Sequence, residues 1–424
     1  MIWPLRRRVA RGPKVHVPSC PVALRAEPLE DRCTPATFAP NAFGGGTFEP
    51  FDDPTVAVRS ASGDVNADGV PDIITAQGPG AGSGSEIRIY DGRAARFSGQ
   101  AVLISDFFAY SNVAGAGQVP GFAGGVFVAA GDFNGDGFAE VVTSPGAGAS
   151  GHVKVFDFNT GGRFAGSNPD LRASFFAYPG FLGEVRVATL SAASNALPRL
   201  VTASGAGTTQ PDIRMYTNAY TLGQMGGGTF VSPISQMFPY PGFLGGISIA
   251  GGSNGQLFVS PNTGASQIST FNLNPFSFGA TELAPGVTFQ TGFAAPTDVR
   301  LGSADVNGDG IADVLTSSVG TSSSTPISAY SLTDGVTSLS GLNGFQGFGF
   351  FGDTWVGASA FAGPTVSGTG TVGLSGSGST ARQGLVLSGS SQGLQSGATF
   401  FNGGALSPPP GSQPSNNVLS PGVV

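Results

Sequence analysis

The chain has 424 residues, of which 69 are Gly, 33 Phe and 31 Pro, while charged residues make up 11% and the net charge is −7. Lysine occurs at Lys14 and Lys154 only, and long surface helices draw on Lys, Glu, Arg and Gln, so an α-rich fold is excluded. Residues 1–33 carry seven Arg/Lys against three Asp/Glu, a net of +4, which leaves −11 on the remainder. An acidic body without a basic stripe argues against a nucleic-acid partner.

The N-terminal stretch 1–41 is basic and contains Pro, Cys20 and Cys33. It has no apolar h-region of a standard secretory signal. It reads either as a disordered basic tail or as an export or sorting segment, and it is set apart from the fold. The two cysteines do not have zinc-site spacing, and whether they pair is left open. No run of about 18 apolar residues exists, so no transmembrane helix is expected.

From residue 42 the chain is repetitive. Apolar runs at Val56–Ala61, Val126–Gly131, Val185, Ile247 and Val299–Ala304 each open a unit. In three units an acidic loop follows, then a second run: Ile73–Ala76, Val141–Ser144 and Val314–Ser317. A third run alternates with period two, the signature of a strand: Glu86–Tyr90, His152–Phe156, Asp212–Tyr216, Gln267–Phe271 and Pro326–Tyr330. A fourth run is Phe-rich: Ser105–Tyr110, Ser174–Tyr178, Gln236–Tyr240 and Phe345–Phe351. Phe107, Phe108, Phe175, Phe176 and Phe238 recur in register there and are expected to pack between units.

Four short strands per unit, repeated, predict an all-β β-propeller over residues 42–404, with about six blades and seven as the alternative. The last blade, about 354–404, is degenerate: it opens near Trp355 and offers Gly384–Ser388 and Ala398–Phe401 as further strands. The segment Gly46–Phe51 resembles a fourth run and is placed to supply the outer strand of that blade, closing the ring. The Pro/Ser-rich stretch 405–424 reads as a disordered tail.

The three acidic loops carry the chemistry. They are Asp64-Val-Asn66-Ala-Asp68-Gly-Val70-Pro-Asp72, Asp132-Phe-Asn134-Gly-Asp136-Gly-Phe138-Ala-Glu140 and Asp305-Val-Asn307-Gly-Asp309-Gly-Ile311-Ala-Asp313. Each offers side-chain oxygens at positions 1, 3, 5 and 9, Gly at position 6, and the carbonyl of position 7. Such an all-oxygen set suits calcium, a hard cation that takes six to eight oxygens in flexible geometry; magnesium, which demands a rigid octahedron, fits less well. An EF-hand would need Glu at position 12 and flanking helices, but position 12 is Thr75, Thr143 or Thr316 and the flanks are strand-like. The alternative is a plain Asx-rich turn, which three copies in equivalent places make less favoured. Ser191–Arg199 and Gly251–Gln256 replace the acidic loop in two units, and no metal is expected there. About three structural calcium ions follow.

The stretch Gly121–Gly148, GFAGGVFVAAGDFNGDGFAEVVTSPGAG, resembles the FG-GAP or VCBS-type repeats of integrin-alpha-like propellers, with weaker copies around Asp64 and Asp305. The resemblance covers about Val56–Phe351. It implies calcium in the loop between the first two strands of a blade, and a ring that serves adhesion or ligand binding. Glu27–Pro35 (EPLEDRCTP) is similar to a short motif on some large secreted bacterial repeat proteins.

Two nominal motifs are set aside. Gly368–Gly373 fits GxGxxG and Gly389–Gly393 fits GxSxG, but both lie in a Gly/Ser/Thr-rich stretch without the required helix. His16 is in the tail and His152 opens a strand, with no triad around it. The expected function is a calcium-stabilised, monomeric adhesion or ligand-binding module, secreted or on the cell surface, for a protein or polysaccharide ligand. A propeller-fold hydrolase or lyase and a structural cell-envelope component are the rivals.

Overall fold

The strands form six sheets, each built on four strands paired antiparallel in the arrangement of a propeller blade; Thr229–Phe230 adds in parallel to the edge of the second. The computed structural model describes residues 46–51, 56–79, 84–98, 100–110, 124–149, 151–191, 197–205, 210–216, 229–252, 255–262, 266–273, 283–291, 299–304, 311–318, 326–333, 335–339, 345–346, 352–357, 385–391 and 396–401, the last four by backbone alone. Residues 1–41 and 405–424, the Asp305–Asp309 part of the third acidic loop, and residues 192–196 and 253–254 of the two non-acidic loops lie outside that set. The described residues belong to one compact unit, Pro35–Val424.

The first blade is Val58–Gly63, Asp72–Gln77, Glu86–Tyr90 and Leu103–Phe108. The second is Val126–Gly131, Glu140–Pro145, His152–Asp157 and Asp170–Phe176. Blades three and four follow from Val185–Leu190 and Ile247–Gly251, and blade five from Val299–Ala304. The sixth is Gly352–Gly357, Leu385–Ser391 and Ser396–Phe401, completed by Gly46–Phe48, which pairs antiparallel with Ser396–Phe401. The N-terminal strand therefore closes the ring as its Phe-rich pattern predicts. Phe48 is buried and meets Tyr90 of the first blade edge-on at 4.7 Å.

Each first strand contacts the first strands of its two neighbours, and that of blade six contacts that of blade one. First and second strands are buried on both faces: Val58–Gly63, Asp72–Gln77, Glu140–Pro145 and Val185–Leu190 have every residue buried. This explains why they read as short unbroken apolar runs, while the outer strands alternate. The core lies between blades. Phe175, Val153 and Val155 of blade two pack with Val185, Val187 and Leu200 of blade three.

Several expectations need correction. The Phe-rich strands place alternate rings on opposite faces, so Phe107 reaches Phe156 at 4.9 Å and Phe175 is 1% exposed, but Phe108 and Phe238 face solvent. In blade five the fourth strand is Thr337–Ser338, while Phe345–Gln346 pairs with the other end of the third strand. Blade four uses Leu283–Gln290, which has no Phe cluster and pairs across a bulge at Ser269/Phe271. A seven-residue helix, Gly92–Ser98, intervenes between the last two strands of blade one. It is capped by Asp91, whose Oδ1 accepts from Ala94 N at 3.0 Å. No described helix is long and apolar enough to cross a membrane.

Candidate metal centre

The acidic loops join the first strand of a blade to its second. In the second blade the loop folds round its own carboxylates. Asp132 Oδ1 accepts from the amides of Gly135 and Asp136, at 2.6 and 3.2 Å, and its Oδ2 from Gly137 at 2.9 Å. Asp136 Oδ1 accepts from Phe138 N at 2.9 Å. The turn needs left-handed backbone at positions 4 and 6, and Gly135 and Gly137 supply it with φ of 81° and 91°. Loop one has the same course with Gly69 at φ 84°, but its position 4 is Ala67, at φ 59°.

Carboxylate oxygens of Asp132, Asp136 and Glu140 lie within 4.8 Å of one another. They grade from exposed Asp136 through half-buried Asp132 to Glu140, which is fully buried at the base of the loop. Glu140 Oε2 accepts from Phe133 N at 2.6 Å. Burial, and then the charges of Asp157, Asp132 and Asp136, push its carboxyl up to about 9. The amide nitrogen of Asn134 stands against this cluster, 2.8 Å from Glu140 Oε1 and 3.0 Å from Asp136 Oδ2. Asn159, on the turn after the third strand, gives a further amide to Asp136 Oδ2 at 2.7 Å.

The donor set fits a hard cation. It has three carboxylates, one of them buried, none in an ion pair among the described residues, and two amide nitrogens occupying the positive role. An Asn side chain turned by 180° presents its oxygen where its nitrogen now stands, so Asn134 can serve either state. Asn159 was not singled out by the repeat pattern, because it lies outside the nine-residue loop.

In blade one the corresponding residues are less gathered. Asp64 accepts from Asp68 N and Gly69 N at 3.1 and 2.8 Å, and Asp68 Oδ1 from Val70 N at 2.9 Å. Asp72 binds Val65 N through Oδ2, but its Oδ1 accepts from Gly92 N at 2.9 Å and meets Asn66 Nδ2 at 3.5 Å. Among the described residues the three-carboxylate cluster occurs in loop two alone. Asp lacks the methylene that lets Glu140 reach, and the helix start at Gly92 holds one oxygen of Asp72. Burial raises the carboxyls of both Asp64 and Asp72. Of the third loop the structure describes Ile311 and Asp313, the latter fully buried like Asp72 and Glu140. The first two loops are neighbours round the ring: Ala139 N donates to Asp64 O at 2.7 Å.

Thr75, Thr143 and Thr316, at position 12, are fully buried on second strands. Their hydroxyls go to Arg88 O, Tyr110 Oη and Ser328 O, so they pack the blades.

Residues 124–156 match the family model for the FG-GAP repeat. The chain carries an FG-GAP repeat. That repeat runs from the glycine pair before the first strand of blade two, through Asp132–Glu140, to the end of the third strand. Its flanking glycines meet backbone to backbone: Gly146 N donates to Gly125 O at 2.8 Å, and a Cβ on Gly146 would fall 1.9 Å from Gly124 O. Among solved structures the chain is similar to AofleA from Arthrobotrys oligospora, with 9% identity over 87% of this chain and 91% of that one at a TM-score of 0.44. It is similar to Aleuria aurantia lectin solved with alpha-methyl-L-fucoside, with 10% identity over 80% and 89% at 0.42. The WD40 domain of Toxoplasma gondii coronin matches at 9% identity and 0.37, over 61% of this chain and 52% of that one. The likeness stops at architecture. No curated protein matches the chain in sequence.

Proposed function

We propose that this FG-GAP propeller is a calcium-stabilised ligand-binding module that works outside the cytoplasm. The observation that carries the reading is the convergence of Asp132, Asp136 and Glu140 on one point, with Glu140 buried. Three carboxylates at this spacing repel unless a proton or a cation neutralises the charge, and calcium can take the place of the proton that burial keeps on Glu140. The cation would be held by Asp132, Asn134, Asp136, the Phe138 carbonyl and Glu140. Loop one would use Asp64, Asn66, Asp68, Val70 and Asp72, and loop three Asp305, Asn307, Asp309, Ile311 and Asp313. Bound calcium ties the first two strands of a blade together at one end, so its binding energy adds to folding stability.

An affinity on the order of 10⁻⁴–10⁻³ M, the range of extracellular modules, matters only where calcium is plentiful. Such a site suits a secreted or surface location, and the ligand proposed is a protein or polysaccharide, met as adhesion. The module is read as monomeric and non-catalytic. His152, the histidine of the described ring, is stacked on Phe176 at 4.8 Å and bonded to Ser174 Oγ at 2.7 Å; burial and then Lys154 lower it to about 4. Calorimetric titration of the metal-free protein with calcium tests the metal, and a glycan array in calcium tests the ligand class. Absence of any saturable calcium heat sinks the reading.

A further inference from the structure

The second residue of each first strand sits at one register level of the inner wall. Arg59, Phe127, Arg186, Ser248 and Arg300 pair with Ala76, Ser144, Ala203, Ser260 and Ser317 of their second strands. Asp353 holds the same place in the sixth sheet. Arginine thus recurs in blades one, three and five, every second blade round the ring.

The three arginines line one cavity of about 80 Å³ in the ring's centre, together with Phe127 and Ser248. They are 2%, 5% and 8% exposed. Arg59 lies 3.4 Å above the Phe127 ring and Arg186 lies 5.3 Å from the same ring. Arg186 donates to Ser248 Oγ and, at 2.8 Å, to Glu184 Oε2, and Arg59 Nη1 meets Gly124 O at 3.3 Å. Three guanidinium groups held together away from water repel one another more strongly than on a surface. Glu184 lies in the resulting field. Burial pushes its carboxyl up, yet Arg186, Arg59 and Arg300 outweigh burial and bring it down to about 2. The channel therefore favours an anionic oxygen even against desolvation. Guanidinium presents five N–H donors in a planar fork matched to oxyanions. A cavity of this size holds several waters or one small ion.

We propose that the arginine-lined part of the channel binds a small doubly charged oxyanion of the sulfate or phosphate class, held between Arg59, Arg186 and Arg300. This site is separate from the acidic loops and does not depend on calcium occupying them.

The test is calorimetric titration of the full chain with sodium sulfate in calcium-containing buffer, against sodium chloride at equal ionic strength. Sulfate also strengthens folds generally by exclusion from protein surface, which gives no saturable heat. The expected result is saturable binding of about one sulfate per chain, weakened at least tenfold in Arg59→Gln and in Arg300→Gln. Arg300→Lys keeps the charge but loses the fork and is expected to bind several-fold more weakly than the parent, which carries the test if the Gln variants do not fold. Absence of saturable sulfate heat in the parent overturns the proposal. So does equal affinity in the parent and in every folded variant, leaving the arginines as an internal ion network with Glu184.

Discussion

The guanidinium of Arg214 lies 4.4 Å over the ring of Tyr178, one blade earlier, and donates to the carbonyl of Ala177. Tyr178 in turn donates its hydroxyl to Asp212 O at 2.8 Å. The device repeats. Lys154 sits 4.9 Å over Tyr110 and donates to Ala109 O at 2.8 Å, while Tyr110 donates to His152 O at 2.6 Å. Arg88 lies 5.5 Å from Phe51 and donates to Pro50 O at 3.2 Å. A cation near the start of a third strand thus latches the aromatic end of the preceding fourth run.

This latch predicts coupling. Tyr178→Phe removes a buried hydroxyl and is expected to cost about 1–2 kcal/mol in urea unfolding. A double-mutant cycle of Arg214→Met with Tyr178→Leu is expected to show about 1 kcal/mol of interaction energy. Additive losses would show that the stacking is incidental.

Ala67 occupies a left-handed backbone position that Gly135 fills in the next loop. Ala67→Gly is therefore expected to stabilise the protein by about 0.5–1 kcal/mol, because it relieves that backbone cost, less the entropy that glycine adds to the unfolded chain. The reverse change, Gly135→Ala, is expected to destabilise, and denaturant midpoints measure both. Gly146→Ala tests close approach instead: with backbone 1.9 Å from the new Cβ, a loss of about 2 kcal/mol or more is expected.

Glu184 and Glu140 respond to pH in opposite senses. The folded carboxyl of Glu184 lies near 2, below its ordinary value of 4.5. Its stabilisation is present above 4.5 and is lost as pH falls from there towards 2. Glu184→Gln is expected to cost about 3 kcal/mol at neutral pH and little at pH 2, read by unfolding at both. Glu140 is raised to about 9 in the metal-free fold. Its contribution is fullest below 4.5 and falls as pH rises towards 9, because the unfolded chain releases that proton first. Calcium needs the ionised form, so its apparent affinity is expected to rise by up to about tenfold per pH unit across that window, with a proton released on binding.

Much of the ring was legible because burial on both faces writes first and second strands as apolar runs, and half-burial writes the third as alternation. Gly46–Phe48 could be assigned to the last blade from its likeness to the other Phe runs. The helix Gly92–Ser98 was not, since it is seven residues long with no acidic residue in its first turn. The fourth strand of blade four was hidden by Pro285 and Gly286 within Leu283–Gln290. The acidic loops announced themselves by spacing. What spacing could not show is that Glu140 reaches the cluster while Asp72 is drawn partly to Gly92, because a methylene and a neighbouring amide decide it. The channel arginines stand in three plain apolar strands, and only the shared register brings them to one cavity.

Calcium is proposed to complete the loop Asp132–Glu140. The most direct test is thermal melting in millimolar calcium and in EGTA, for the parent chain and for Glu140→Gln. Calcium is expected to raise the parent's melting temperature by several degrees. In EGTA, Glu140→Gln should melt at or above the parent, since its neutral amide replaces a carboxyl that burial keeps protonated, and calcium should raise its melting temperature distinctly less. A parent whose melting temperature is the same in saturating calcium and in EGTA would contradict that role for calcium.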